Sequence, residues 1–252
     1  MSLTARAAGW SQPPGVPALP RGEVHVWRAV LDTSERHRKG LLATLSPDER
    51  ARADRFHFER DRVHFITGRG WLRAILARYL ETAPAALRFH YGPHGKPRLA
   101  GAFSDRLRFN VSHSHGLALY AVAVDRELGV DIERIEPRLE HGIAERFFSP
   151  GEVATLRALP RHVQREAFFT CWTRKEAYVK ARGKGLTLRL DQFDVSLSPG
   201  EPAALLRTAG DPDEALRWSL RELAPGPGYS AALVAEGRDW ELQCWDDGVV
   251  SE

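Results

Sequence analysis

Val24, Val26 and Val30 alternate with polar or aromatic positions, and this period of two predicts a first strand. The stretch before it, residues 1–22, is rich in proline and without periodicity, so it reads as a tail that orders only by packing on the body. Ser46-Pro47-Asp48-Glu49 then predicts a helix start, with Ser46 as N-cap, proline at the first helical position and Glu49 closing a capping box. Apolar positions at Ile66, Trp71, Leu72, Ile75, Leu76 and Tyr79 carry the helical spacing on, after a break near Phe58. Gly92-Pro93-His94-Gly95 is a turn. Residues 107–113 and 117–124 read as a hairpin around Ser114-His115-Gly116.

The second half replays this order. Ser149-Pro150-Gly151-Glu152 repeats the proline-bearing capping box, and Arg161–Arg182 has a long helical pattern. Residues 192–197 match residues 87–91, and Trp218–Leu223 with residues 229–235 resembles the earlier hairpin. Proline capping boxes are common, so a coincidental order is the bland reading. Duplication is the more economical one. It predicts an α+β fold of two similar subdomains related by a pseudo-twofold axis. The expected division is a tail (1–22), an N-terminal half (23–126) and a C-terminal half (127–252). A cleft between such halves is a usual place for a ligand.

Composition narrows the picture. The chain has 252 residues, 43% of them hydrophobic and 27% charged, an ordinary balance for a globular protein. Its longest apolar run, residues 117–124, is far short of the ~20 residues a membrane span needs. No apolar core of a secretory signal stands at the start. Cys171 and Cys244 cannot build a disulfide framework or a four-cysteine zinc site, so a reducing, cytoplasmic setting is expected. The net charge of +3 favours acidic partners such as phosphorylated cofactors, acidic proteins or nucleic acid, although solvated surface arginine accounts for most of it.

Lysine is scarce. Of 36 basic residues only Lys39, Lys96, Lys175, Lys180 and Lys184 are lysine, and three of them cluster in the second long helix and its end. Chance clustering is one reading; a compact point charge for a pyrophosphate beside a metal is the other.

Leu128, Val130 and Ile132 alternate with Asp131 and Glu133, so strand geometry places the two acids on one face. Alone, such a pair is a solvated strand edge. Glu176 and Lys180, four apart on the predicted helix, likewise make an ordinary surface ion pair. Ala177, Tyr178 and Val179, however, make that stretch half-buried, and Gly183 is a natural left-handed cap. Three carboxylates, Asp131, Glu133 and Glu176, suit Mg²⁺, which takes oxygen ligands and completes its shell with water and substrate phosphates. His113 and His115 have no third histidine or cysteine at zinc-ligand spacing. Ser112 lacks the G-x-S-x-G elbow of a hydrolase nucleophile.

Gly95-Lys96-Pro97, Phe109-Asn110-Val111-Ser112-His113-Ser114, Gly129-Val130-Asp131-Ile132-Glu133 and the run Trp172-Thr173-Arg174-Lys175-Glu176-Ala177-Tyr178-Val179-Lys180 through Leu186 stand in one order. In that order and spacing the chain resembles the Sfp-like (surfactin-type) 4'-phosphopantetheinyl transferases, from about Leu45 to Val195. The resemblance implies transfer of phosphopantetheine from coenzyme A to a serine of an apo acyl or peptidyl carrier protein. It implies Asp131, Glu133 and Glu176 as ligands of Mg²⁺, or Mn²⁺ in its place, with Glu176 also the general base and Lys180 on the pyrophosphate beside Lys175. It implies Ser112 and His113 on the 3'-phosphate, and Arg52, Gly95, Lys96 and Asn110 completing the nucleotide grip. Arg69 and Arg73 match a pattern seen in relatives, with structure and binding equally open for Arg73.

A non-catalytic coenzyme A or nucleotide-binding module would keep Lys96 and His113 but has no use for three carboxylates. A nucleic-acid binder would want a basic stripe with interleaved aromatics and no acidic centre. The expectation is therefore a monomeric enzyme without nucleic-acid or membrane partners.

Overall fold

In the computed structural model, which describes residues 9–104, 106–137 and 142–246, the valine alternation forms β1 (Glu23–Val30). Helices α1 (Glu35–Thr44), α2 (Pro47–Ala53) and α3 (Glu59–Leu80) follow. The capping box opens α2, with the Ser46 N–H donating to the Glu49 carboxylate at 3.0 Å. Two short strands, β2 (Phe89–Tyr91) and β3 (Pro97–Leu99), pair across the predicted turn. The predicted hairpin is β4 (Arg108–Ser114) and β5 (Leu117–Ala123), with His115 in the left-handed region at its tip.

The second half runs β6 (Leu128–Arg134), α4 (Ile143–Phe147), α5 (Pro150–Ala158) and α6 (Arg161–Arg182). It continues with β7 (Phe193–Val195), β8 (Leu205–Thr208), α7 (Glu214–Arg217), β9 (Trp218–Leu223), β10 (Tyr229–Glu236) and β11 (Glu241–Asp246). The larger sheets have the orders β11-β1-β5-β4 and β6-β10-β9. Within them β1-β5-β4 and β6-β10-β9 are the same antiparallel arrangement, each with a 22-residue helix between its first strand and its hairpin. The fold is α+β in two similar parts.

Burial explains the layering. Val24, Val26, Leu119 and Ala121 of one sheet meet Val130, Ile132, Leu233 and Ala235 of the other in a shared core. The outer face of the first sheet packs on α3 through Trp27, Tyr120, Trp71 and Ile75, and that of the second on α6 through Ala232, Val234, Ala177 and Tyr178. Strand β5 is buried at every position, so it reads as a continuous apolar run rather than an alternating one.

One boundary differs from the reading of residues 127–252 as a single half. Strand β11 returns to the first sheet and pairs in parallel with β1, Glu23 opposite Glu241 through Arg28 opposite Asp246. The antiparallel β1–β5 ladder leaves the other edge of β1 open, and β11 covers it. The described part of the N-terminal tail packs on the body: Ser11 bridges to Trp245, and the Trp10 indole donates to the Ala224 carbonyl. Among the described residues no helix is long and apolar enough to cross a membrane.

Candidate active site

Strands β4 and β6 are the edge strands of their sheets, and they meet through side chains. Asn110, Ser112 and Ser114 alternate along β4. The Asn110 Oδ1 accepts from the Val130 N–H at 2.9 Å, the Ser112 Oγ from the Ile132 N–H at 3.3 Å, and the Ser114 Oγ from the Arg134 N–H at 3.1 Å. Three side chains thus serve the exposed amides of β6 in register and join the two halves.

The other side of β6 lies hard against α6. A Cβ on Gly129 would stand 2.2 Å from the Ala177 carbonyl oxygen and 2.3 Å from the Ala181 nitrogen, distances that no side chain permits. Glycine at this position allows the close approach, and the approach carries Asp131 to the face of α6 that bears Glu176 and Lys180.

Asp131 is 3% exposed. Its Oδ1 accepts from the Lys180 Nζ at 2.6 Å and the Ser112 Oγ at 2.8 Å, while Oδ2 is buried with no hydrogen-bond partner. Lys180 also donates to the Ser112 Oγ at 2.9 Å. Burial raises the Asp131 pKa against the pull of Lys180 and Ser112. Glu133 is pushed up by burial and then by the Asp131 charge, and Glu176 by the same two causes in the same order. The Asp131 charge thus acts on both Glu133 and Glu176, and Lys180 opposes the rise in all three carboxylates.

Glu176, Lys180 and Asn110 open into a cavity of about 700 Å³ that reaches from the turn at residues 92–96 to the loop after α6. Trp172 lies one turn before Glu176 on the same helical face, and with Phe147, Leu188 and Leu190 it gives the cavity an apolar end. Arg146 and Arg189 stand at that end.

Two family models cover most of the chain: "4'-phosphopantetheinyl transferase, N-terminal" matches residues 31–125, and "4'-phosphopantetheinyl transferase superfamily" matches residues 127–234. Over 236 residues the chain is 42% identical to the 4'-phosphopantetheinyl transferase HetI of Nostoc sp., spanning 93% of this chain and 96% of that protein. The chain belongs to the 4'-phosphopantetheinyl transferase superfamily. It is also 29% identical to the transferase Sfp of Bacillus subtilis, over 82% of this chain and 89% of that one. To the human L-aminoadipate-semialdehyde dehydrogenase-phosphopantetheinyl transferase it is 30% identical, over 72% of this chain and 64% of that one.

The structure of this transferase links Ser112, Asp131 and Lys180 by hydrogen bonds, sets Gly95, Asn110, Glu176 and Lys180 in the cavity wall, and bonds Glu133 to Ser114. His113 stands on the opposite side of β4 from Ser112. Burial, then Lys180 and His64, lowers its pKa, and His64 itself pairs with Asp32 at 2.8 Å. The sequence reading passed over His64.

Of the expected cofactor contacts, Lys175 and Arg52 lie outside the cavity lining, and Lys96 lines it with its charge already paired. Lys175 is fully buried on the far side of α6, where its Nζ meets the Glu152 carboxylate at 2.7 Å and the carbonyls of Leu190 and Phe193 at 2.8 and 2.6 Å. Five residues from Lys180 is roughly 140° around a helix, so the two lysines cannot share a face. The Lys96 ammonium is spent on Glu127 at 3.1 Å and on the Leu128 and Ala181 carbonyls, tying the turn to β6 and α6; burial lowers its pKa. Its stem lines the cavity, but its charge is neutralised within the protein. Arg52 is exposed on α2 with its guanidinium over the Phe65 ring. Arg73 is structural, bound to Glu49 and to the Pro84 and Leu87 carbonyls.

Proposed function

We propose that the chain transfers the 4'-phosphopantetheine arm of coenzyme A to the serine of an apo acyl or peptidyl carrier protein and releases adenosine 3',5'-bisphosphate. The observation that carries this reading is that Glu176 and Lys180 line one cavity between the two halves while the Lys180 ammonium is bonded to the buried Asp131. In the reaction the serine oxygen bonds to the phosphorus that bears the pantetheine arm, and the bond from that phosphorus to the oxygen shared with the nucleotide phosphate breaks. The hydroxyl proton passes to Glu176, whose raised pKa makes it a stronger base than an exposed glutamate once ionised. Lys180 brings a positive charge to the cavity wall, where it can bond the phosphoryl oxygens on which charge gathers.

The donor set suits a divalent cation. Asp131 offers a buried oxygen without a partner, and Glu133 and Glu176 raise the cost of leaving the cluster uncompensated. Among the described residues no three histidine, cysteine, aspartate or glutamate side chains are grouped so as to hold a metal ion, so water and substrate oxygens would have to complete the shell of any ion bound here. Mg²⁺, or Mn²⁺ in its place, held by Asp131, Glu133 and Glu176 would neutralise pyrophosphate charge. Both cysteines are free and buried, in keeping with a cytoplasmic protein, and the fused pair of halves supports action as a monomer.

The test is incubation with coenzyme A, Mg²⁺ and a panel of apo carrier proteins, read by mass. A gain equal to the phosphopantetheine arm on at least one carrier is expected. Tight coenzyme A binding with every carrier unmodified would make the chain a binding module instead.

A further inference from the structure

The two serines of β4 repeat one device. A hydroxyl has a single hydrogen to give and can accept as well. Ser112 accepts from the Ile132 N–H and donates to Asp131; Ser114 accepts from the Arg134 N–H and donates to the Glu133 Oε2 at 2.9 Å. In both cases the amide just after an acid occupies the acceptor side of the hydroxyl, so the hydrogen is left for the acid itself. His115 Nδ1, at 3.4 Å from the Ser114 Oγ, is the weaker competitor.

This matters because β6 holds Asp131 and Glu133 two residues apart on one side of a strand. A donated O–H on each fixes one carboxylate oxygen in space. For Asp131 the fixed oxygen is Oδ1 and the unpartnered one is Oδ2.

We propose that Ser114 is a positioning residue for a divalent cation: its hydroxyl, oriented by the Arg134 amide, holds the Glu133 carboxylate beside Asp131 and Glu176. This inference rests on the metal-dependent reading above and adds a residue to it. Ser114 is not part of the cavity lining; it acts through Glu133.

The test is a double-mutant cycle on the full chain with coenzyme A present, titrating Mn²⁺ and reading the free ion by electron paramagnetic resonance. Ser114→Ala should weaken Mn²⁺ binding by about tenfold, the lower range for loss of a partner behind a metal ligand. Ser114→Thr, which keeps the hydroxyl, should restore most of it. In a Glu133→Gln background Ser114→Ala should cost little more. Melting temperature is followed in parallel, because loss of the amide contact lowers stability in both backgrounds alike. The proposal is overturned if Ser114→Ala leaves Mn²⁺ affinity unchanged, if it costs the same in both backgrounds, or if the wild type holds no Mn²⁺. A wild type that holds Mn²⁺ without modifying any carrier sinks the transfer reading and leaves the Ser114 comparison standing.

Discussion

Arg73 and Lys175 are each the fifteenth residue of a 22-residue helix, and each binds the buried capping-box glutamate of its own half. Arg73 meets Glu49 at 2.7 Å and the Pro84 and Leu87 carbonyls; Lys175 meets Glu152 at 2.7 Å and the Leu190 and Phe193 carbonyls. The duplicated unit therefore carries a duplicated bracket that ties the long helix to the short one before it and the loop after it. The chemistry is not duplicated. Positions equivalent to Glu176 and Lys180 in the first half are Ala74 and Arg78, and the Arg78 guanidinium lies over Trp27.

Lys175 and Lys180 should consequently be told apart by turnover. Lys175→Met leaves Glu152 charged and buried, and breaking such a pair costs about 3–5 kcal/mol. Denaturant unfolding should show that loss, while turnover per folded molecule stays near wild type. Lys180→Met also leaves a buried carboxylate, Asp131, without its cation and should lower the midpoint, but in addition it should lose on the order of 10²-fold in turnover per folded molecule, as when one donor to developing charge is removed. Equal turnover losses for both variants would contradict the assignment.

Glu176→Gln removes the base and keeps the size. Turnover should fall by about 10²–10⁴-fold. The wild-type profile of kcat/KM should rise through an inflection above the ordinary glutamate value, since burial and Asp131 raise this pKa, and the variant should lack it. A carboxyl whose pKa is higher folded than unfolded favours folding at low pH. That contribution is lost as pH rises from the unfolded to the folded value, so metal-free wild type should lose more stability across that window than the variant, in which only Asp131 and Glu133 keep raised values.

Gly129→Ala tests the contact that builds the site. The added methyl meets helix backbone, which cannot swing away, so β6 and α6 must separate. Overpacking of this kind costs about 1–3 kcal/mol. Because the shift also parts Asp131 from Lys180, turnover should fall with stability, measured as urea midpoint against carrier modification. A variant with normal turnover would show that the approach is not needed.

His25 supplies an acid-side stability limb. Its ring is 1% exposed between the Tyr79 hydroxyl and the Glu23 carboxylate, each at 2.8 Å. Burial lowers its pKa more than Glu23 raises it. The unfolded chain therefore takes up the proton first, near the ordinary value of about 6.5. Stability is complete above that value and declines as pH falls below it toward the folded pKa. Urea midpoints from pH 7.5 to 5 should fall for wild type and stay flatter for His25→Gln.

Helix α6 at Arg161–Arg182, both capping boxes, the hairpin of β4 and β5 and the repeated order of elements were all legible in the chain, because caps, turns and periodicity act over a few residues. So were the acids Asp131, Glu133 and Glu176, whose spacing on a strand and a helix sets their faces. Tertiary structure decided what those faces meet. Lys175 and Lys96 are the same residue type as Lys180, yet packing turns both inward to satisfy carboxylates and carbonyls that would otherwise be buried unpaired. Ser114 gains its place only because two sheet edges meet, and β11 crosses halves only because β1 keeps an open edge. These are contacts between residues far apart in the chain, and their energies depend on burial that no local pattern encodes.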